Sequence, residues 1–198
     1  MSEYIKFSYE QVATKINSFE GFDQLNDYRD KLRRQRLVGV DSNGISFGNV
    51  SVREGVTHSF YITGSSTGGI SQLTPADCSR VVEFDLTRNW LRCEGATVAS
   101  SESLTHGAIY EVEPAAMGVI HSHDLKLWMM LLNQAPTTSR STAYGTPELA
   151  HEVQRLFQST DVKTKKIFVM AGHEGGIVTF GRSLKEAFDV LMGARNAL

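Results

Sequence analysis

Apolar positions along the chain follow two periods, and the places where one gives way to the other divide the chain into elements. From residue 8 to 35, Val12, Ile16 and Phe19 recur at helical spacing, with Gly21 interrupting the run, so a helical segment is expected there. The stretches GISFGNVSVRE (44–54) and HSFYITG (58–64) alternate instead and are rich in β-branched residues, which predicts two strands joined by a turn. LTPADCSR (73–80) opens like a short helix, with Thr74 as cap and Pro75 at the first position. VVEFDLTRNWLRCEG (81–95) predicts two further strands around a turn near Thr87–Asn89.

A helix is expected from about Ser101 to Glu111, then a buried strand in AAMGVIHSH (115–123). LKLWMMLLNQ (125–134) predicts a helix that is apolar on most sides. Thr146 caps the next predicted helix, Pro147 begins it, and Leu149, Val153 and Leu156 form its inner stripe. KKIFVMAGHEGGIVTFG (165–181) predicts a strand, a glycine-rich turn and a second strand, and Ser183 with Glu186 forms a capping box for the last helix. Strands interleaved with helices predict an α/β fold, a mixed sheet with helices packed on it.

Composition adds bounds rather than detail. The 198 residues fit one domain, 1–198, with no repeats and no convincing linker. Hydrophobic residues make up 41% and charged residues 21%, ordinary for a globular chain. The net charge of −2 provides no basic excess for nucleic acid, so the runs KLRRQR (31–36) and KTKK (163–166) are read as solvated faces. No apolar run approaches the ~20 residues of a membrane helix. The opening MSEYIKFSYEQ does not resemble a signal peptide, and Cys78 and Cys93 lack metal or redox spacing. A reduced, cytoplasmic protein with no membrane or nucleic-acid partner is the expectation.

The candidate chemistry starts at His121 and His123. On a strand, residues two apart point to one face, so the pair presents two imidazoles side by side. That arrangement suits one divalent ion, since zinc takes nitrogen ligands at about 2.0–2.1 Å; two inert strand-end histidines are the alternative. His173 ends a strand and enters a glycine-rich turn, where a third imidazole would complete three protein ligands with one open position. Glu102, in the first turn of a helix, reads either as an acid placed for the helix dipole or as a metal ligand or general base. His106, four residues later, reads as a packed helix histidine, and His58 and His151 as surface positions. Trp90 and Trp128 read as packing residues, and Asp124 as a strand-end acid or as an orienter of a histidine.

Seven pieces in order, GNVSVR (48–53), YITGSSTGG (61–69), SSE (100–102), HSH (121–123), YGTPELA (144–150), GHEGG (172–176) and GRSLKEA (181–187), make the chain resemble the class II aldolase/adducin family from about residue 10 onward. The resemblance implies a three-layer α/β/α sandwich. It implies a divalent metal, usually Zn2+ with Mn2+ or Co2+ as alternatives, on His121, His123 and His173, with Glu102 as acid/base. It also implies a small phosphorylated sugar as substrate and a homotetramer with active sites near subunit boundaries. An anion site is then expected, and Gly64, Ser65 and Ser66 in TGSSTGG, Asn49 and Ser51 in GNVS, and Ser100 and Ser101 at a helix start supply donors for it.

Reversible aldol cleavage of a phosphorylated ketose is the implied reaction. A 4-epimerase or a dehydratase on the same metal is the neighbouring alternative, and a non-catalytic adducin-like binding module the alternative of another class. The family's aldolases carry a longer segment before the GT helix, with an acid/base tyrosine; here Tyr144 is the tyrosine nearby.

Overall fold

A computed structural model describes residues 5–197. In chain order its elements are β1 (Ser8–Val12), α1 (Phe22–Arg34), β2 (Gly39–Val40), β3 (Ser46–Phe47), β4 (Asn49–Arg53) and β5 (Phe60–Thr63). A 3-10 turn (Pro75–Asp77) leads to β6 (Cys78–Asp85), β7 (Trp90–Glu94), α2 (Ser103–Val112), β8 (Gly118–His123) and α3 (Leu125–Leu131). Then come α4 (Pro147–Ser159), α5 (Val162–Lys165), β9 (Ile167–Val169), β10 (Gly176–Gly181) and α6 (Leu184–Asn196).

Eight strands form one sheet in the order β1-β7-β6-β5-β4-β8-β10-β9, and β2 and β3 form a separate ribbon. Pairing is antiparallel except at the edge, where β1 runs parallel to β7. Strand alternation sends Val50, Val52, Ile120 and Ile177 to one face, with Leu25 and Leu32 of α1 and Leu184 and Leu191 of α6. Phe60, Ile62, Val119, Val178 and Phe180 face the other way, against Leu104 and Ala108 of α2 and Leu149, Val153 and Leu156 of α4. Apolar burial on both faces of the sheet makes the three-layer α/β/α sandwich.

Three local features differ from the sequence reading. Residues 8–20 are not helical: Ser8–Val12 pairs with Trp90–Glu94, and the chain then runs without regular structure to Gly21, whose φ of +90° precedes α1. Val12 lies 45% exposed at the sheet edge, and the Phe19 ring stacks on Tyr61, so the apparent stripe has no common inner side. The expected strand 44–54 is divided at Gly48, with φ of +72°, into β3 of the ribbon and β4 of the sheet. A Cβ at Gly48 would come 2.6 Å from Val38. In the Ser183 cap, the hydroxyl accepts from Glu186 N–H at 3.1 Å, but the returning carboxylate accepts from Arg182 N–H at 2.6 Å rather than from Ser183.

The remaining predicted elements lie where the pattern puts them, although the Thr146 hydroxyl makes no cap bond and donates instead to Ala143 C=O at 2.9 Å. Thr74 and Asp77 make the capping box of the 3-10 turn, and α4 buries Leu149, Val153 and Leu156. Cys78 and Cys93 are both free and buried, on opposite faces of the sheet. No helix among the described residues is long and apolar enough to cross a membrane.

Candidate active site

The site lies where β8, β4 and the β9–β10 turn meet the start of α2. In β8, His121 pairs with Asn49 of β4 and Val178 of β10, and His123 with Gly176 of β10. Alternation puts both imidazoles on the α2 side of the sheet, with ring centroids 5.0 Å apart. His173 reaches them from the turn before β10, its Nε2 2.9 Å from Nε2 of His123. One nitrogen from each of the three rings lies within 4.8 Å of the others. The turn accommodates this because position 176 has no side chain: a Cβ there would sit 2.7 Å from Cδ2 of His173.

Glu102 immediately precedes α2 and is 3% exposed. Thr105 donates its hydroxyl to Oε2 at 3.1 Å. Oε1 has no partner and lies 4.0 Å from Nε2 of His173. His121 Nε2 and Asn49 Oδ1 are likewise buried without partners, while Asn49 Nδ2 donates to Ser100 Oγ at 3.0 Å. An unpartnered buried polar atom costs about 1–3 kcal/mol, so three of them on residues of one cleft mark a place built for something polar. A tetrahedral ion with nitrogen ligands at its usual distance holds them about 3.3 Å apart, within a few tenths of the His123–His173 spacing. The donor set therefore fits a divalent cation on His121, His123 and His173.

Burial sets the protonation states. It pulls His123 down to about 4 and, with His123 and Lys6 adding repulsion, His173 down to about 3. It also takes His121 well below the ordinary range, with the other histidines adding to the effect. All three are neutral at pH 7, the state a metal ligand requires. Burial raises Glu102 to about 7, partly opposed by the Thr105 hydroxyl and by Lys6. In the metal-free protein this carboxyl can both accept and give a proton at neutral pH, and a cation on the neighbouring histidines would lower it.

These groups open into a cleft of about 560 Å³ whose wall includes Asn49, Gly64, Ser65, Ser66, Ser100 and Ser101. The residues expected to bind an anion thus line one cavity, with one exception, although the Gly64 and Ser65 N–H groups already go to the carbonyls of Asp77 and Val98 at 2.8 Å each. Ser51 is fully buried and outside the cleft. Its hydroxyl is taken by His106 Nδ1 at 2.7 Å and Tyr110 at 2.8 Å, because α2 covers the sheet from that position on. His106 is therefore the packed histidine expected, held neutral by burial at about 3.

Asp124 orients no histidine: it caps α3 through Leu127 N–H at 3.0 Å and pairs with Arg195 at 2.8 Å. His58 and His151 are exposed. Tyr144 reaches the cleft and packs on His173 at 4.7 Å between centroids, with Lys6 Nζ 3.5 Å from its ring centroid. Sequence reasoning missed Phe47, which packs on His123 at 5.4 Å, and Arg36 at the cleft wall. Arg36 belongs to the basic run read as a solvated face; its φ of +59° marks the turn that brings it there, and no local pattern announces that.

The fold, the three-histidine cluster and the acid beside it define an α/β protein with a candidate metal centre, and the comparisons assign its family. The sequence model of the Class II Aldolase and Adducin N-terminal domain matches residues 41–198, and the chain belongs to that family. Among solved structures, an L-fuculose 1-phosphate aldolase aligns over 91% of this chain and 84% of its own, with TM-score 0.70 and 20% identity. The L-fuculose-1-phosphate aldolase of Thermus thermophilus aligns over 88% and 89%, with TM-score 0.62 and 22% identity. A sugar-phosphate aldolase of Thermotoga maritima aligns over 90% and 91%, with TM-score 0.65 and 16% identity. No curated protein matched the sequence.

Proposed function

We propose that the protein is a zinc-dependent lyase of the class II aldolase type, cleaving and re-forming a carbon–carbon bond in a small phosphorylated ketose. One observation carries this reading: three imidazole nitrogens within 4.8 Å of one another, with a buried, half-partnered carboxylate 4.0 Å from one of them. His121, His123 and His173 would hold the ion, and as neutral ligands they leave its double charge undiminished. When bound, the ion supplies a Lewis acid that polarises carbonyl and hydroxyl oxygens. Glu102 moves the substrate's proton at Oε1, because Oε2 is occupied by Thr105.

Ser100 and Ser101, in the turn that leads into α2, and the 64–68 loop with the free N–H groups of Ser66 and Thr67 receive the phosphate. The likeness to aldolases named for L-fuculose 1-phosphate and for sugar phosphates supports the substrate class. The homotetramer is part of this proposal; Leu125 and Met129, 51% and 65% exposed on α3, with Leu125 lining the cleft, support a covering subunit.

Metal analysis of the purified protein beside His121→Ala, followed by product analysis on a panel of ketose phosphates, tests the reading. About one zinc per chain is expected in the parent and none in the variant. Two shorter carbonyl products mark the aldolase. A single epimer or loss of water moves the protein to the epimerase or dehydratase reading. Bound zinc with no turnover of any sugar phosphate rejects the lyase.

A further inference from the structure

Helix α1 carries a buried arginine with no place in the chemistry above. Arg29 is 3% exposed, and among the described residues it forms no ion pair. From Nη2 it donates to the carbonyls of Thr67 at 2.8 Å and Gly68 at 3.0 Å. From Nη1 it donates to the carbonyls of Ile70 and, at 3.4 Å, Ser71. Asn26 on the same helix grips the next turn of chain, donating to Leu73 C=O at 3.3 Å and accepting from Leu73 N–H at 3.2 Å. The hydrogen bonds of both side chains therefore go to the segment 67–73, whose first part continues the cleft wall from Gly64 to Gly68.

Peptide geometry gives this clamp a direction. In a trans peptide the carbonyl and the following N–H point opposite ways. Four carbonyls gathered on one cation turn their partner N–H groups away from it. For Gly68 that direction is toward the cleft, since its N–H reaches Ser46 Oγ, another wall residue, at 3.2 Å. The N–H groups of Ser66 and Thr67, at the bend where Ser66 takes φ of +62°, have no hydrogen-bond partner among the described residues. Gly68 is fixed from behind as well: a Cβ there would lie 2.0 Å from the carbonyl oxygen of Gly39, so the loop backbone rests directly on the β2 ribbon.

We propose that Arg29 is a positioning residue for anion recognition. Its guanidinium anchors the Thr67 and Gly68 carbonyls at the end of the bend, which holds the two free N–H groups of Ser66 and Thr67 in place as donors for a phosphate group in the cleft. The proposal rests on reading the cleft as the site of a phosphorylated substrate. Without the clamp, Thr67 and Gly68 lose their anchor on the side away from the cleft, and the bend that carries the Ser66 and Thr67 N–H groups is free to shift. A lysine retains the charge but lacks the planar fork that serves several carbonyls at fixed angles.

The test titrates inorganic phosphate into the zinc-loaded parent, Arg29→Lys and Arg29→Met, following the backbone amides of residues 66–69 by NMR and the affinity by calorimetry. In the parent those amides shift on phosphate binding. In both variants the affinity falls by about tenfold or more, since each hydrogen bond to the cation is worth more than a neutral one. Zinc content and far-UV circular dichroism stay at the parent's values. A folded, zinc-loaded Arg29→Lys that binds phosphate as tightly as the parent overturns the proposal and leaves the anion site standing. If neither variant folds, the parent decides alone: phosphate binding with no response at 66–69 overturns the proposal. A parent that binds no phosphate rejects the anion site, and the proposal falls with it.

Discussion

Replacing Glu102 by glutamine in the metal-free protein isolates the cost of burying one carboxylate. Burial moves this group from 4.5 up to about 7. Between those values the folded protein holds a proton that the unfolded chain has released. The native state then binds more protons, so its stability falls as pH rises through that window. Below it both states are protonated and nothing is lost; above it the loss is complete. At 1.36 kcal/mol per unit, the full cost is about 3 kcal/mol.

Glutamine keeps the shape and removes the charge. The stability difference between Glu102→Gln and the parent should therefore grow from about 1 kcal/mol at pH 5 to about 3 kcal/mol at pH 8 in favour of the variant. The histidines titrate in both proteins and cancel in this difference. Urea unfolding at four pH values in the presence of chelator measures it. In heating experiments the same effect appears as a gap of roughly 6–12 °C at pH 8, taking about 2–4 °C per kcal/mol for a chain of this size. A difference that does not change with pH, or that favours the parent at pH 8, refutes the argument that burial governs this carboxyl.

Two further outcomes follow from the site. Zinc held by the folded protein alone should stabilise it by about 2.7 kcal/mol at a hundredfold excess over Kd, so stripping the metal with chelator should lower Tm, and returning zinc should restore it. Unchanged Tm across that cycle would count against a metal on the three histidines. Gly176→Ala places a methyl 2.7 Å from Cδ2 of His173 and should cost at least tenfold in zinc affinity, about the lower bound seen when a group that orients a ligand is lost. Gly193→Ala, which meets nothing within 4 Å on the exposed side of α6, should instead raise stability by about 0.5–1 kcal/mol and leave zinc binding alone, as equilibrium unfolding and metal titration would report.

The parts of the fold legible in the sequence are those decided locally. Pro147 after Thr146, Ser183 before Glu186, and the apolar stripe of α4 all specify structure within one or two turns, and each element is present. Residues 8–12 escape a local reading because their conformation is decided by β7, about eighty residues away, and no local period carries that information. The same limit applies at the site. Alternation correctly puts Asn49 and Ser51 on one side of β4, but it cannot say that α2 closes over Ser51 and leaves Asn49 open. His121 and His123 pair from their spacing alone, whereas His173 joins them only because β10 lies beside β8. Arg29 is indistinguishable in sequence from a surface charge on an amphipathic helix, since its acceptors are main-chain atoms, which leave no mark in a side-chain pattern.

The stretch that matches the family begins at residue 41, yet α1 ends at Arg34. Leu25 and Leu32 of that helix are completely enclosed between the sheet and α6, and β1 completes the far edge of the sheet. A piece excised at the family boundary would carry the three histidines and Glu102 but would expose the part of the sheet and of α6 that α1 covers and leave the 67–73 segment without its backing. The smallest unit able to fold and work is thus longer than the smallest unit recognisable by similarity. Any transplant of this three-histidine cluster into another chain would have to bring along the helix that precedes it.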